Sequence, residues 1–170
     1  MDKRYLNWND VDRAINRLVA SIHTSGIKFE AVGGLPRGGL IAAVMLSHRL
    51  SIPFVAQANI ASVAGDILVV DDICDTGGTL VKAAALLKEK GAKTVRAMIT
   101  HPVLSGKAYE NIENSVLEEL VVCDTIPLKY PSKKIQVLTV ADLFAIAIRN
   151  AYENKSITSL FVHSQLKARS

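Results

Sequence analysis

Apolar side chains at Val11, Ile15, Leu18, Val19 and Ile22 recur at the i, i+4, i+7, i+8 spacing that stripes one face of a helix. Asn7 or Asn9 stands where that helix needs a cap. A short apolar run over 29–32 stops at Gly33-Gly34, and Gly38-Gly39 precedes a second helical pattern over 40–50. Residues 53–56 predict another short strand. Residues 67–70 (Ile-Leu-Val-Val) are apolar at every position, as a parallel strand covered on both faces demands. That run ends in Asp71-Asp72, and Gly77-Gly78 leads into a helix predicted over 80–90, with Gly91 in the position of a C-terminal cap. The alternation goes on with a strand at 95–100, a short helix near 107–112, strands at 120–122 and 135–138, and a helix over 140–152. Strands alternating with helices in short-looped units predict an α/β fold, a mostly parallel sheet with helices on both faces.

A length of 170 residues fits a single domain at roughly 150 residues each, residues 1–170. The tail from about residue 154, with Ile157, Leu160, Phe161 and Val162, is expected to pack back on the domain or on a partner subunit. With 49% hydrophobic and 21% charged residues, there is enough apolar surface to exclude disorder. The two cysteines, Cys74 and Cys123, lack metal-type spacing and are too few for a disulfide framework. Residues 1–10 hold no signal-peptide core, and no apolar run approaches the roughly 18 to 20 residues that cross a bilayer. A cytoplasmic protein without a membrane is expected. The net charge of +4 suits a small polyanion and is too mild to indicate nucleic acid.

In an open α/β sheet, ligands collect beyond the carboxyl ends of the strands. After Val70 the chain reads Asp71-Asp72-Ile73-Cys74-Asp75-Thr76-Gly77-Gly78-Thr79: three carboxylates feeding a glycine turn and then a helix. Free N–H groups at a helix start cradle an anion, and Thr76 and Thr79 add hydroxyl donors. The carboxylates suit vicinal sugar hydroxyls or a hard cation such as Mg²⁺. Phosphate, sugar and metal together describe a phosphorylated ribose. After the predicted strand at 29–32, Arg37 stands within Gly33-Gly34-Leu35-Pro36-Arg37-Gly38-Gly39, and a guanidinium fork beside exposed amides suits a diphosphate.

Residues 67–80, ILVVDDICDTGGTL, resemble the 5-phosphoribosyl-1-pyrophosphate binding motif of the type I phosphoribosyltransferases. The Gly33–Gly39 segment matches in kind that family's pyrophosphate loop, and the region from about residue 5 to 55 is similar to the bacterial xanthine-guanine phosphoribosyltransferases. The resemblance implies a type I phosphoribosyltransferase fold and a reaction in which ribose 5-phosphate passes from 5-phosphoribosyl-1-pyrophosphate to a nucleobase, a purine being favoured. It implies that Asp71 and Asp72 hold the ribose hydroxyls, directly or through Mg²⁺. Thr76, Gly77, Gly78 and Thr79 would bind the 5′-phosphate. Asp75 would accept a proton from the base, and Arg37 with Leu35, Pro36 and Gly38 would take the pyrophosphate across a strained Pro36–Arg37 peptide. A homodimer or larger homo-oligomer is expected.

From about residue 65 to 162 the chain is also similar to the C-terminal domain of the ribose-phosphate pyrophosphokinases, most clearly at residues 100–106 (THPVLSG), 123–127 (CDTIP) and 156–161. That family implies a chain about twice as long, with two related domains, and a basic loop before the acidic motif. Here residues 57–66 contain no Lys or Arg. Those ten residues also leave little of the lid that transferases close over the reaction. Where purine enzymes carry a lysine after the fourth strand, this chain has His101, a candidate substrate contact. The expected activity is therefore base transfer. The alternatives are a nucleotide-sensing regulatory protein with little catalysis and a single-domain pyrophosphokinase relative. Tyr130 reads as a loop pin, Lys129, Lys133 and Lys134 as a solvated rim, and Cys74 as a variable motif position without nucleophilic function.

Overall fold

The computed structural model describes residues 8–36, 38–55 and 64–155. Helix α1 spans Trp8–Ser25, β1 Ala31–Gly34, α2 Gly39–Leu50, β2 Phe54–Val55, β3 Gly65–Cys74, α3 Gly78–Glu89, β4 Ala92–Pro102, α4 Ala108–Glu113, β5 Glu119–Cys123, β6 Ile135–Leu138 and α5 Ala141–Tyr152. The strands form one sheet in the order β2-β1-β3-β4-β5-β6, and all five pairings are parallel.

The strand order dictates where the helices lie. The chain leaves β1 through α2 toward β2 on one side, then returns past β1 to β3 and proceeds through α3 and α4 toward β5. Right-handed crossovers running in opposite directions put their helices on opposite faces. The core divides accordingly. Ile15 and Ile22 of α1 and Ala43 and Leu46 of α2 pack with Val32, Leu68 and Val70 on one face. Leu80, Ala84 and Leu87 of α3 and Ala108 and Ile112 of α4 pack with Ile67, Val69, Val95 and Leu120 on the other. Side chains alternate along β3, so 67 and 69 serve one core and 68 and 70 the other, and all four are buried. Each truncation of such a side chain to alanine costs about 2–5 kcal/mol. Between β5 and β6 the parallel crossover is irregular over residues 124–134, held by the Tyr109 hydroxyl, which accepts the amides of Lys129 at 2.9 Å and Tyr130 at 3.4 Å.

Three sequence expectations shift. The strand predicted over 67–70 extends through the acidic pair to Cys74, because β4 runs to Pro102 alongside it and pairs Asp71 with Ile99, Ile73 with His101 and Cys74 with Pro102. Strand β1 takes in both glycines that were expected to end it, since Gly33 and Gly34 pair with Val69 and Val70. Asn9 lies inside α1, which starts at Trp8, so it is not its cap; Asn7 lies outside the described residues. The apolar tail at 157–162 also lies outside them. No helix among the described residues is long and apolar enough to cross a membrane.

Candidate functional site

The sheet has its topological switch between β1 and β3, where successive connections leave in opposite directions, and the crevice beyond that point is where α/β folds bind ligands. Both sequence motifs emerge there. Leu35 donates its amide to the Val70 carbonyl at 3.1 Å, and Gly39 donates to the Leu35 carbonyl at 3.0 Å, closing the first loop against the end of β3. A methyl group on Gly38 would collide with the Asp72 carboxylate. At Gly34 and Gly39 a methyl group would meet backbone atoms of Gly39 and Val70, so these two glycines are required by close approach.

A cleft of about 190 Å³ is lined by Leu35, Pro36, Asp71, Asp75, Thr76, Gly77, Gly78 and Thr79, so eight expected ligand residues converge. A neighbouring hollow of about 130 Å³ brings in Gly38 and Asp72, with Asp71 on the boundary of both. His101 lies elsewhere, in an open hollow of about 450 Å³ with Asp124, Thr125, Val140, Ala141 and Phe144. Its Nδ1 lies 3.0 Å from Thr125 Oγ1, which donates its own proton to the Thr100 carbonyl at 2.8 Å. With that proton committed, Nδ1 is the donor in this contact. Arg37 lies outside the described residues, as does its peptide bond with Pro36.

The turn from β3 into α3 leaves backbone donors open. Gly77 sits at φ +71, a conformation that favours glycine, and caps α3 without offering a side chain. No side chain caps the helix, and among the described residues no hydrogen bond uses the amides of Gly78, Thr79 or Leu80. Those orphan donors and the positive end of the helix dipole face the cleft. Asp71 lines the same cleft, and Asp72 stands next to it in the neighbouring hollow. The amide of Asp72 donates to Asp71 Oδ1 and that of Ile73 to Asp72 Oδ1, both at 2.9 Å, which fixes how each side chain leaves the strand. Burial raises the Asp71 carboxyl to about 6, and the Asp72 charge pushes the same way.

Two adjacent carboxylates are chemically suited to a hard cation. Among the described residues no cluster of three or more His, Cys, Asp or Glu side chains could hold a metal unaided. Magnesium asks less: it takes one or two carboxylates and completes its shell with substrate oxygens and water. Asp71 and Asp72 fit that hard-oxygen role. The neighbouring Cys74 does not compete, since burial pushes its thiol up to about 11.

Tyr130, expected to pin its loop, is exposed and meets Tyr109 edge-on at 5.2 Å between ring centroids, and the hydroxyl that ties the loop down is that of Tyr109. Lys134 departs from the solvated rim expected of it, because its ammonium donates to the Ser115 carbonyl at 2.7 Å, just beyond α4. Sequence reasoning missed Ser105 and Asn111. The Ser105 hydroxyl donates to Asp75 Oδ1 at 2.5 Å, and Asn111 Nδ2 to the Thr76 carbonyl at 2.9 Å. Ser105 stood in the recognised THPVLSG stretch, but its spacing gave no hint of a partner thirty residues earlier.

A parallel sheet carrying an uncapped glycine turn and paired carboxylates at its switch point defines a domain of the phosphoribosyltransferase type. Residues 48–162 match the family model described as the phosphoribosyl synthetase-associated domain, and the chain belongs to that family. It is 44% identical over 155 residues to a ribose-phosphate pyrophosphokinase of Campylobacter jejuni, covering 83% of this chain and 50% of that protein. A ribose-phosphate pyrophosphokinase of Wolinella succinogenes is 47% identical over 139 residues, covering 74% and 45%. The solved phosphoribosylpyrophosphate synthetase from Mycobacterium smegmatis superimposes with a TM-score of 0.72 at 30% identity, over 83% of this chain and 51% of that one. An adenine phosphoribosyltransferase structure shares the fold at a TM-score of 0.50 and 17% identity, over 62% of this chain and 75% of that one. The chain spans about half the length of the curated relatives it matches. These relatives support the pyrophosphokinase alternative better than base transfer.

Proposed function

We infer that this chain is the ribose-phosphate-binding half of a ribose-phosphate pyrophosphokinase, in which the C1 hydroxyl of ribose 5-phosphate attacks the β-phosphorus of ATP and AMP leaves. The observation that carries this reading is the convergence of Asp71 and Asp75 with the uncapped start of α3 in one cleft, with Asp72 in the hollow next to it, in a chain 44% identical to such an enzyme. The amides of Gly78 and Thr79, with the hydroxyls of Thr76 and Thr79, take the 5-phosphate. Asp71 and Asp72 accept hydrogen bonds from the ribose hydroxyls and hold Mg²⁺ when it is bound, which would supply charge neutralisation for the transferred diphosphate. Leu35, Pro36 and Gly38 border the diphosphate, and the Arg37 guanidinium supplies the charge that such a group calls for. Asp75 faces the cleft as an acceptor near the sugar. Little covalent chemistry is asked of these groups; phosphoryl-type transfer is catalysed by positioning and charge.

Calorimetric titration with ribose 5-phosphate and Mg²⁺ tests the shared premise, and absence of binding would sink it. Incubation with ribose 5-phosphate and ATP, followed by AMP, then reads transfer. Release of pyrophosphate from 5-phosphoribosyl-1-pyrophosphate with a panel of bases, without AMP formation in the first assay, would instead favour base transfer.

A further inference from the structure

An aspartate ahead of a glycine turn ordinarily accepts from the amides two and three residues on, closing a local ring. For Asp75 those amides are Gly77 and Gly78, the latter the first residue of α3. Such a bond would cap the helix and place a carboxylate where an anion has to sit. The structure turns the side chain away. Ser105 Oγ donates to Asp75 Oδ1 at 2.5 Å, and the Ser105 amide donates to the Asp75 carbonyl at 3.0 Å. One residue earlier, the Leu104 amide donates to the Cys74 carbonyl at 3.1 Å. Leu104 adopts φ +46, a backbone conformation that side-chain-bearing residues rarely accept, while its side chain is 2% exposed. It acts as a buried plug that fixes Ser105 opposite Asp75. The segment after β4 is thus clamped along the segment after β3, and α3 is left without a side-chain cap.

We propose that Ser105 is a positioning residue for the anion site: by holding the Asp75 carboxylate it keeps that charge off the first amides of α3 and leaves them to a phosphate. This rests on the reading that a phosphate binds there. It differs from a structural tie in its sign, because releasing Asp75 gives α3 a cap and costs the ligand its donors.

The test compares the wild type, Ser105→Ala, Ser105→Thr and the double variant Ser105→Ala with Asp75→Ala. Without ligand, the Gly78 amide in Ser105→Ala is expected to exchange about fivefold more slowly, as a newly capped amide does. Its Tm is expected not to fall. Affinities for ribose 5-phosphate and for inorganic phosphate are expected to drop about tenfold, the scale of losing charge-assisted amide contacts. Ser105→Thr, which keeps the hydroxyl, matches the wild type. Removing the freed carboxylate in the double variant restores the affinity for inorganic phosphate. Unchanged or faster Gly78 exchange in Ser105→Ala overturns the proposal, as does a phosphate affinity equal to wild type or a double variant no better than the single one. A wild type that binds neither probe sinks the functional reading instead, and the exchange measurement still decides what Ser105 does to Asp75.

Discussion

Gly39, at the start of α2, lies against the carbonyl oxygen of Val70 so closely that the structure has no room for a methyl group between them. That contact joins the two loops of the candidate site at the switch point. Gly39→Ala would have to push the start of α2 away from the end of β3, and overpacking of this kind costs about 1–3 kcal/mol. The expected outcome is a lower denaturation midpoint with an unchanged slope, together with weakened binding of ribose 5-phosphate. A variant as stable as the wild type, with undiminished affinity, would show that the two loops are not mechanically joined.

Asp71→Asn and Asp72→Asn separate charge from shape. Each amide side chain keeps an oxygen for the backbone bond that the carboxylate now accepts from the next residue, so the fold should survive. What is lost is the charge that holds a cation and polarises sugar hydroxyls, worth about tenfold to a hundredfold in affinity for each contact removed. Titration with ribose 5-phosphate and Mg²⁺ should show that loss in both variants, while thermal melting at pH 7 falls in neither and rises in Asp71→Asn, because burial disfavours the charged form of that carboxyl. Undiminished affinity in both would place the ligand elsewhere.

Most of this architecture was legible in the chain because its signals are local. The all-apolar run at 67–70 announced a strand buried on both faces, and the Asp-Asp and Gly-Gly punctuation after it marked the turn that leads into α3. What escaped were features set by a partner far away in sequence. The extension of β3 to Cys74 depends on β4 running alongside to Pro102, and no apolar periodicity marks Asp71 to Ile73 as strand. His101, expected just past the end of β4, lies inside the strand and opens into a hollow toward α5, because the side chain is tied to Thr125 beyond β5. Ser105 and Asn111 gained their roles only when the β4–α4 segment closed on the phosphate turn.

Both thiols should be sluggish nucleophiles. Cys74 is 4% exposed, and burial with the neighbouring Asp71 charge pushes its thiol up to about 11. Burial and Asp124 raise Cys123 as well. At pH 8 the thiolate of Cys74 is then on the order of a thousandth of the total, and the thiolate is the reactive form. Alkylation by iodoacetamide, followed by mass spectrometry, is expected to be much slower for both residues in native protein than after unfolding in guanidinium. Rapid labelling of native Cys74 would contradict the burial of that thiol at the base of the phosphate turn.

The start of α5 is tied to the end of β5 through Asp124, whose carboxylate accepts Thr139 Oγ1 at 2.5 Å and the Val140 amide at 2.8 Å. The hydroxyl of Thr139 and the amide of Val140 hold this carboxyl below its ordinary value of 3.8. A carboxylate that titrates lower when folded binds fewer protons in the folded state, so its contribution is complete above the unfolded value and is lost as pH falls through the folded one. Asp124→Ala should therefore lower the melting temperature at pH 7 by removing the tie to Thr139 and Val140. The difference from wild type should shrink below pH 4 and vanish once the wild-type carboxyl is protonated. Because the group is exposed, added salt should also narrow the gap at pH 7. Melting curves of the two proteins between pH 2 and 7 check the sign: a gap that widens toward acid would mean that the neutral carboxyl, not the charged one, secures α5.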